Sequence, residues 1–530
     1  MSKITELTAY DAVPYPPYSF PATNIGRLAA IGRVFSLPTA DPRNARVLEL
    51  GCSSGVNTLA MAQLYPDAEF VGVDLSSRQI QVAEEALVAT GLKNVRFIQG
   101  NIADLGEDLG KFDYIITHGI YSWVPANVKD AIMQLSCDLL KPEGVAYISY
   151  NCLPGWRMRG ALRDMMQMHT GAIKDLPGKV AQGKALIKFL AESCTEDTPY
   201  GKYLRQELEV LRTTDDSYIA HEFFEENNEA YYFMDFLKEA ARHKLAYLGD
   251  AEPATMVVDN LPAQAAQTLK SLNLNLLATE QYMDFVRNRQ FRSTLLCHAT
   301  APLSRAVDPK TVDGLHVIGL VGVKRQWSES EPALFTAANG AELAVNEPFT
   351  AELFSRIAAS GRSSRSCNEV VDETMQALSG KLEGKDPEAV RSDLGRILLQ
   401  GYFRRMVDLT VGSIGAPTAG DADKPNVLPL ARWQASKGLR VSSQRLDMLN
   451  TDPFVGKFIS LCDGTLDRTA LIDAMTEAVT NKEFQLSENN QPVEDADRAR
   501  FIIEKLYDGS VNNLRQLGLL VSAQGNGSHN

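Results

Sequence analysis

The stretch VLELGCSSGVNTLA, residues 47–60, decides the fold. An apolar run ends at Gly51, a short polar loop follows, and from Gly55 the apolar residues Val56, Leu59 and Ala60 recur at helical spacing. A helix that begins directly behind a strand carries the chain back towards the strand's start, which is how parallel strands are joined. Working outward, EFVGVD (69–74) reads as a second strand, and SSRQIQVAEEALVATG (76–91) as a helix with a serine cap and a terminal glycine. VRFIQG (95–100), FDYIITHG (112–119) and GVAYISYN (144–151) are three further strands, with helix NVKDAIMQLSCDLL (127–140) between the last two. Continuous apolar strands alternating with helices predict a parallel sheet covered on both faces.

From 157 to about 220 the beat changes, and RMRGALRDMMQMHTGAI, GKVAQGKALIKFLAESC and YGKYLRQELEVLR read as helices with no strand between them. This predicts a helical insertion. The α/β signal resumes with YYFMDFLKEAARHK (231–244), LAYLGDA (245–251) and RSTLLCHA (292–299), so residues 220–300 are expected to complete the interrupted sheet. Beyond 300, DGLHVIGLVG (313–322) offers a strand and most of the remainder reads as helix, with a loop rich in Gly, Ala, Pro and Asp at 411–428. Two segments resemble each other: NEPFTAELFSRIAASGRSS (346–364) and TDPFVGKFISLCDGTLDR (451–468). Each starts with an acidic residue, Pro and Phe, runs on as an apolar helix and breaks at glycine. A duplicated, winged-helix-like unit fits this pattern, and so does chance, because Pro-Phe before a helix is common.

Composition bounds the rest. At 530 residues the chain is too long for one core, so two to four domains are expected. A net charge of −13 opposes a general nucleic-acid binder, which needs a basic stripe. The seven cysteines are scattered without a CxxC pair, which excludes a zinc ribbon and suits a reducing compartment. With no apolar run of ~18 residues and no apolar N-terminal stretch, a soluble, cytoplasmic protein without a metal is expected.

In the loop after the first strand, Ser53 stands where a dinucleotide fingerprint has its middle glycine, and no third glycine follows. The loop still lets a ligand approach the backbone and offers free helix N–H groups. Asp74, 23 residues after Gly51, ends the second strand where a carboxylate can accept both hydroxyls of a ribose. Asn101 follows the third strand, within reach of an adenine edge. An adenosine-bearing ligand is implied, and both NAD and S-adenosylmethionine fit. Glu49 and the missing glycine oppose NAD, since a carboxylate repels pyrophosphate and suits the ammonium of a methionyl group.

VLELGCSSG, FVGVDLS, FDYIITHGIYSWVP and LKPEGVAYISYN together resemble the class I S-adenosylmethionine-dependent methyltransferases. More narrowly, HGIYSWVP, SYNCLPGW, the N-terminal YDAVPYPPYSFPAT and HEFFEENNEAYYFMDFLKEA resemble bacterial methyltransferases with a methyltransferase regulatory domain, such as the rickettsial outer-membrane-protein lysine methyltransferases. The resemblance covers roughly residues 10–300 and extends loosely beyond. It implies a Rossmann-like seven-stranded sheet whose final strand is antiparallel, with LAYLGDA and RSTLLCHA as strands six and seven. It also implies a core with an N-terminal lid over 1–154, a helical insertion over 155–220, a regulatory domain completing the sheet over 221–300, and a substrate-presenting region over 301–530. The implied cofactor contacts are Glu49, Gly51, Ser53, Gly55, Asp74, Leu75, Asn101, Ile102 and His118. Tyr18, and Phe20 beside it, would lie in a lid near the methionine end or else pack outside the sheet.

The end of the fourth strand, ITHGIYSWVP (116–125), would face the methyl group. Methyltransferases acting on bases or glutamine often carry Asp/Asn-Pro-Pro-Tyr there; His118-Gly119-Ile120-Tyr121 stands here instead. Tyr121 and Trp123 are expected either to wall a lysine pocket, completed by Tyr150, Asn151 and Trp156, or to plug the sheet, Trp123 more readily the latter. A ring face stabilises a cation by ~0.5–2 kcal/mol. His118 is a candidate proton acceptor or a loop-fixing hydrogen-bond partner. A protein substrate bearing the lysine is implied, an outer-membrane protein before export being one such substrate. Small-molecule or RNA methylation, or cofactor binding without turnover, are the alternatives.

Overall fold

A computed structural model of the chain describes residues 16–337, 340–361, 363–414, 422–488 and 491–521. The first part of the expected N-terminal lid, and 415–421 of the expected loop, lie outside the described residues.

Helix α1 (Ile25–Val34) precedes a sheet built from β1 (Arg46–Leu50), β2 (Glu69–Asp74), β3 (Val95–Gln99), β4 (Phe112–Thr117), β5 (Leu140–Asn151), β6 (Leu245–Asp250) and β7 (Phe291–His298). Their order is β3-β2-β1-β4-β5-β7-β6. The first five are parallel, and β7 runs antiparallel to both neighbours. The expected antiparallel seventh strand is borne out. Helices α2 (Val56–Ala62), α3 (Ser77–Thr90) and α4 (Ala126–Asp138) make the crossovers. Ser76 caps α3 by accepting from Gln79 N–H, and Gly91 ends it in the left-handed conformation.

Alternation along the strands sorts side chains into two cores. Tyr114, Ile116 and Tyr147 pack with α1, while Leu48, Ile115, Ile148 and Tyr150 pack on the opposite face. Four helices, α5 (Trp156–His169), α6 (Leu176–Ser193), α7 (Pro199–Thr213) and α8 (Asp216–Phe224), form the insertion around their own core of Leu162, Met166, Ile187, Leu204 and Phe223. Helices α9 (Phe233–Arg242), α10 (Ala263–Ser271) and α11 (Leu276–Arg287) accompany β6 and β7.

The C-terminal half holds two units of one topology. In the first, β8 (His316–Gly319) lies between β12 (Arg365–Ser366) and β13 (Val407–Thr410), beside α12 (Pro348–Ala359), α13 (Cys367–Ala377) and α14 (Pro387–Phe403). In the second, Asn426 and Val427 bridge Asp463 and Leu520, beside α16 (Pro453–Leu461), α17 (Arg468–Thr480) and α18 (Ala496–Gln516), with α15 (Pro429–Ser436) ahead of them. The two Pro-Phe segments occupy equivalent places, α12 and α16. Their acidic residues, Glu347 and Asp452, accept backbone N–H groups of the first turn. One feature departs from the helical expectation: β9 (Val321–Arg325), β10 (Ala333–Ala337) and β11 (Glu342–Val345) form a small antiparallel sheet. It buries little beyond Val321, Ala333 and Phe335, so its apolar alternation is weak.

Residues 312–411 share a continuous core with the α1 face of the large sheet. At the junction Val411 N–H donates to Gly26 O at 3.0 Å. A Cβ on Gly26 would stand 2.5 Å from Thr410 Oγ1 and 2.6 Å from the Tyr65 hydroxyl, so only glycine permits this approach.

Candidate active site

The loop after β1 takes its shape from left-handed residues. Gly51 and Gly55 have φ of 76° and 71°, and Ser53 sits at 50°. A side chain on Gly51 would run into Ile120, 2.4 Å away. Gly51 and Cys52 N–H groups both donate to Val73 O, which fastens the loop to β2. Asp74 is half-buried; Oδ2 accepts Ser53 N–H at 2.8 Å and Oδ1 accepts Ser76 N–H at 2.9 Å. Ser53 Oγ is buried without a partner among the described residues, an orphaned group of the kind a ligand satisfies. Leu75 is half-buried beside Asp74, and at the tip of β3 Asn101 Oδ1 accepts Ala103 N–H ahead of the buried Ile102. This set fits the adenosine and ribose of S-adenosylmethionine.

Glu49 is 4% exposed, and its carboxylate is already engaged. Asn57 Nδ2 donates to Oε1 at 2.8 Å and Thr58 Oγ1 donates to Oε2. Desolvation, with Asp74 nearby, pushes its pKa up to about 7 against the lowering effect of those two bonds. Asn57 Oδ1 in turn accepts Phe20 N–H at 2.9 Å and Thr23 Oγ1–H at 3.1 Å. The N-terminal segment is thereby tied to the cofactor loop through Glu49.

That segment places its two aromatic residues differently from expectation. Phe20 packs on His118 with the rings tilted by 34°, ring centroids 3.9 Å apart. Tyr18 points away from the cofactor loop: its hydroxyl donates to Asp215 in the insertion at 3.1 Å, and Arg440 covers its ring. The expectation of Tyr18 at the methionine end is corrected. It is drawn outward by a carboxylate and a guanidinium from two other parts of the chain. Between them Ser19 is buried against Ser442 and Leu446 O, so the C-terminal half holds the segment down.

At the tips of β4, β5 and β7 a polar row lies on the α1 face. His118 Nδ1 stands 2.8 Å from the Tyr147 hydroxyl, which donates to Ser293 Oγ at 2.8 Å. Ser149 Oγ accepts Gly119 N–H at 2.7 Å. Asn151 is 2% exposed and its Nδ2 is unpartnered among the described residues, a second orphaned donor at the tip of β5. Burial alone drives the His118 pKa down to about 4, so the ring is neutral near pH 7.

No aromatic pocket wall forms; of the two arrangements expected for Tyr121 and Trp123, the structure shows the packed one. Tyr121 is 2% exposed and lies on the opposite face, 5.4 Å from both Tyr231 and Phe236. Tyr150 stacks on Phe236 at 4.0 Å, with its hydroxyl on Thr294. These rings close the opposite face of the sheet at the same strand ends. Trp123 and Trp156 meet edge to face at 6.0 Å, and Trp156 Nε1 donates to Asn228. This pair fastens the start of the insertion to the β4 loop. The sequence reading missed Asn57, Thr58, Tyr147 and Ser293; the alternation Tyr147-Ser149-Asn151 within an apolar strand was the signal available for the first residue of the row.

Comparisons with known proteins agree with this architecture. A methyltransferase-domain family matches residues 41–228, a predicted methyltransferase regulatory domain matches 215–298, and the PKMT C-terminal winged helix domain matches 423–519. The chain is 32% identical to uncharacterized protein RP789 of Rickettsia prowazekii over 98% of its own length and 94% of that protein's. The structure of PKMT2 from Rickettsia typhi matches with a TM-score of 0.83 at 30% identity, over 96% of this chain and all of that one. The same enzyme in complex with AdoHcy matches equally well, at 31% identity. Similarity along nearly the whole of both chains places this protein in the PKMT family, the class I S-adenosylmethionine-dependent methyltransferases that carry a regulatory domain and a C-terminal winged helix.

Proposed function

We propose that the protein transfers methyl groups from S-adenosylmethionine to lysine side chains of a protein substrate in the cytoplasm, an outer-membrane protein before its export being the substrate class to test first. The observation that carries this reading is the neutral, uncharged character of the β4–β5–β7 tip under Phe20. The bound cofactor supplies a methyl group already activated on a sulfonium. In the transfer the amine nitrogen forms a bond to the methyl carbon as the carbon–sulfur bond breaks, and a proton leaves the nitrogen for solvent. Lysine has a pKa near 10.4 in water, and desolvation favours the neutral amine that the reaction needs. A site with no fixed cation among the described residues, roofed by a phenyl ring and offering an uncharged imidazole, suits that amine. Asp74 would hold the ribose, the Gly51–Gly55 loop the backbone-facing side, and Asn101 the adenine edge. Glu49, held by Asn57 and Thr58, would face the amino group of the methionine end.

The Phe20 segment would exclude water, since it is tied to the cofactor loop on one side and to Ser442 on the other. Radiolabelled S-adenosylmethionine incubated with fractionated bacterial lysate tests the acceptor class. Label in protein, mapped to lysine by mass spectrometry, is expected. Label confined to RNA or to small molecules would overturn the lysine reading and leave the cofactor reading intact.

A further inference from the structure

We propose that Tyr147 and Ser293 are positioning residues that hold His118 in its Nδ1-protonated form, so that Nε2 presents a lone pair to the amine being methylated. The part concerning the amine rests on the lysine reading above; the protonation pattern of the ring does not.

The hydrogen-bond directions carry the argument. A tyrosine hydroxyl has one proton, and that of Tyr147 goes to Ser293 Oγ at 2.8 Å. Its oxygen is then an acceptor towards His118 Nδ1, 2.8 Å away, and the proton of a neutral imidazole must sit on Nδ1. Free histidine in water favours the opposite form, with the proton on Nε2, so the protein selects the minor one. Strand pairing enforces the selection. Ile116, two residues before His118, lies opposite Tyr147, and Ser149 lies opposite Ser293, so three strands place the three groups in a row.

The geometry around the ring leaves Nε2 a defined task. No hydrogen bond to Nε2 is present among the described residues. Phe20 covers the ring at 3.9 Å, and Phe291, from the start of β7, approaches its edge at 5.9 Å. Both are apolar, so they offer Nε2 no donor, and an incoming N–H would be its partner. A lone pair there can accept one N–H of the substrate, turning the nitrogen's own lone pair towards the methyl group. The alternative form would present an N–H, which repels an ammonium and competes for the nitrogen's lone pair. Ser293 lies in the segment that follows the helical insertion and α9–α11, so the regulatory segment contributes to this site through β7.

Long-range proton–nitrogen spectra of the full-length protein labelled with 15N-histidine test the proposal, with His118→Gln identifying the resonance. The wild type is expected to show a bare Nε2 and a protonated Nδ1. Tyr147→Phe is expected to move the ring towards the ordinary Nε2-protonated form and to lower kcat roughly tenfold, about the size of one hydrogen bond, with cofactor affinity unchanged. Ser293→Ala is expected to shift the ring less, and Ser293→Thr to restore it; this pair keeps the test available should Tyr147→Phe fail to fold. A wild-type His118 protonated on Nε2, or an unmoved spectrum in both Tyr147→Phe and Ser293→Ala, would overturn the proposal. A spectrum as expected without lysine methylation would sink the functional reading alone, and lysine methylation with an Nε2-protonated ring would sink this one alone.

Discussion

On one face of the sheet, at the tips of β4, β5 and β7, His118, Tyr147 and Ser293 make a hydrogen-bonded row roofed by Phe20. On the other face, three residues further along β5 and three along the β4 loop, Tyr121 and Tyr150 make a packed cluster with Tyr231 and Phe236. The residues alternate in the sequence and differ entirely in company. Alternation assigns each residue of a strand to one solvent, polar cleft or packed interior, and neighbours such as Tyr147 and Tyr150 end with opposite duties. An aromatic-rich loop is therefore not evidence of an aromatic pocket until the face of each ring is known.

The comparison breaks most easily on the packed side. Tyr121→Ala removes a buried ring, and a loss of about 3–5 kcal/mol is expected from the cavity. Urea unfolding should show it, while turnover per folded molecule stays within a few-fold. A sharp fall in turnover without loss of stability would mean that Tyr121 serves the site after all.

On the cleft side the cofactor contacts come next in size. Charge-assisted hydrogen bonds contribute about 1.5–3 kcal/mol, so Asp74→Ala is expected to weaken S-adenosylmethionine roughly 10–100-fold by calorimetry. Unchanged affinity would place the ribose elsewhere. The mutant also loses the acceptor for Ser53 and Ser76 N–H, so circular dichroism must accompany it.

A smaller effect separates two titrating groups on the same face. His118 stays neutral in the folded chain down to about pH 4, against 6.5 when free, so the unfolded chain binds the extra proton between these values. The stability that the neutral ring contributes is lost as pH falls through that window. Glu49 runs the other way. Its folded pKa is raised from 4.5 to about 7, so the folded chain holds the extra proton and stability falls as pH rises between the two. In a urea-unfolding profile His118→Gln should remove the loss of stability as pH falls from 6.5 to about 4, and Glu49→Gln the opposing loss as pH rises from 4.5 to about 7. Identical profiles for both variants and the wild type would contradict these environments.

Much of the fold was legible because its signals are local. The turn at Gly51–Gly55, the Ser76 cap and the Gly91 stop each declare themselves within a few residues, and the seven strands stood out as apolar runs. The β9–β11 sheet was not legible, since strands that bury one or two residues leave no alternating pattern. In the site, Asp74 and the glycine loop were readable from spacing. The place of Tyr121, wall or plug, stayed open because the chain leaves β4 through Gly119, at φ 69°, and a 3-10 turn over Tyr121–Trp123, where the period of two no longer applies. Ser293 was out of reach for another reason: 146 residues separate it from Tyr147, and only the assembled sheet brings them together. The domain division drawn at residue 300 likewise missed a core that runs across it.

One pair of single-atom changes tests the division between the two faces most directly. Tyr147→Phe and Tyr121→Phe each delete one hydroxyl from a buried ring and leave the ring in place. Steady-state methyl transfer to protein should fall roughly tenfold in kcat for Tyr147→Phe, the worth of one hydrogen bond. It should stay within about twofold for Tyr121→Phe, whose hydroxyl makes no hydrogen bond among the described residues. A fall in kcat for Tyr121→Phe with Tyr147→Phe unaffected would contradict the account and return the acceptor pocket to the other side of the sheet.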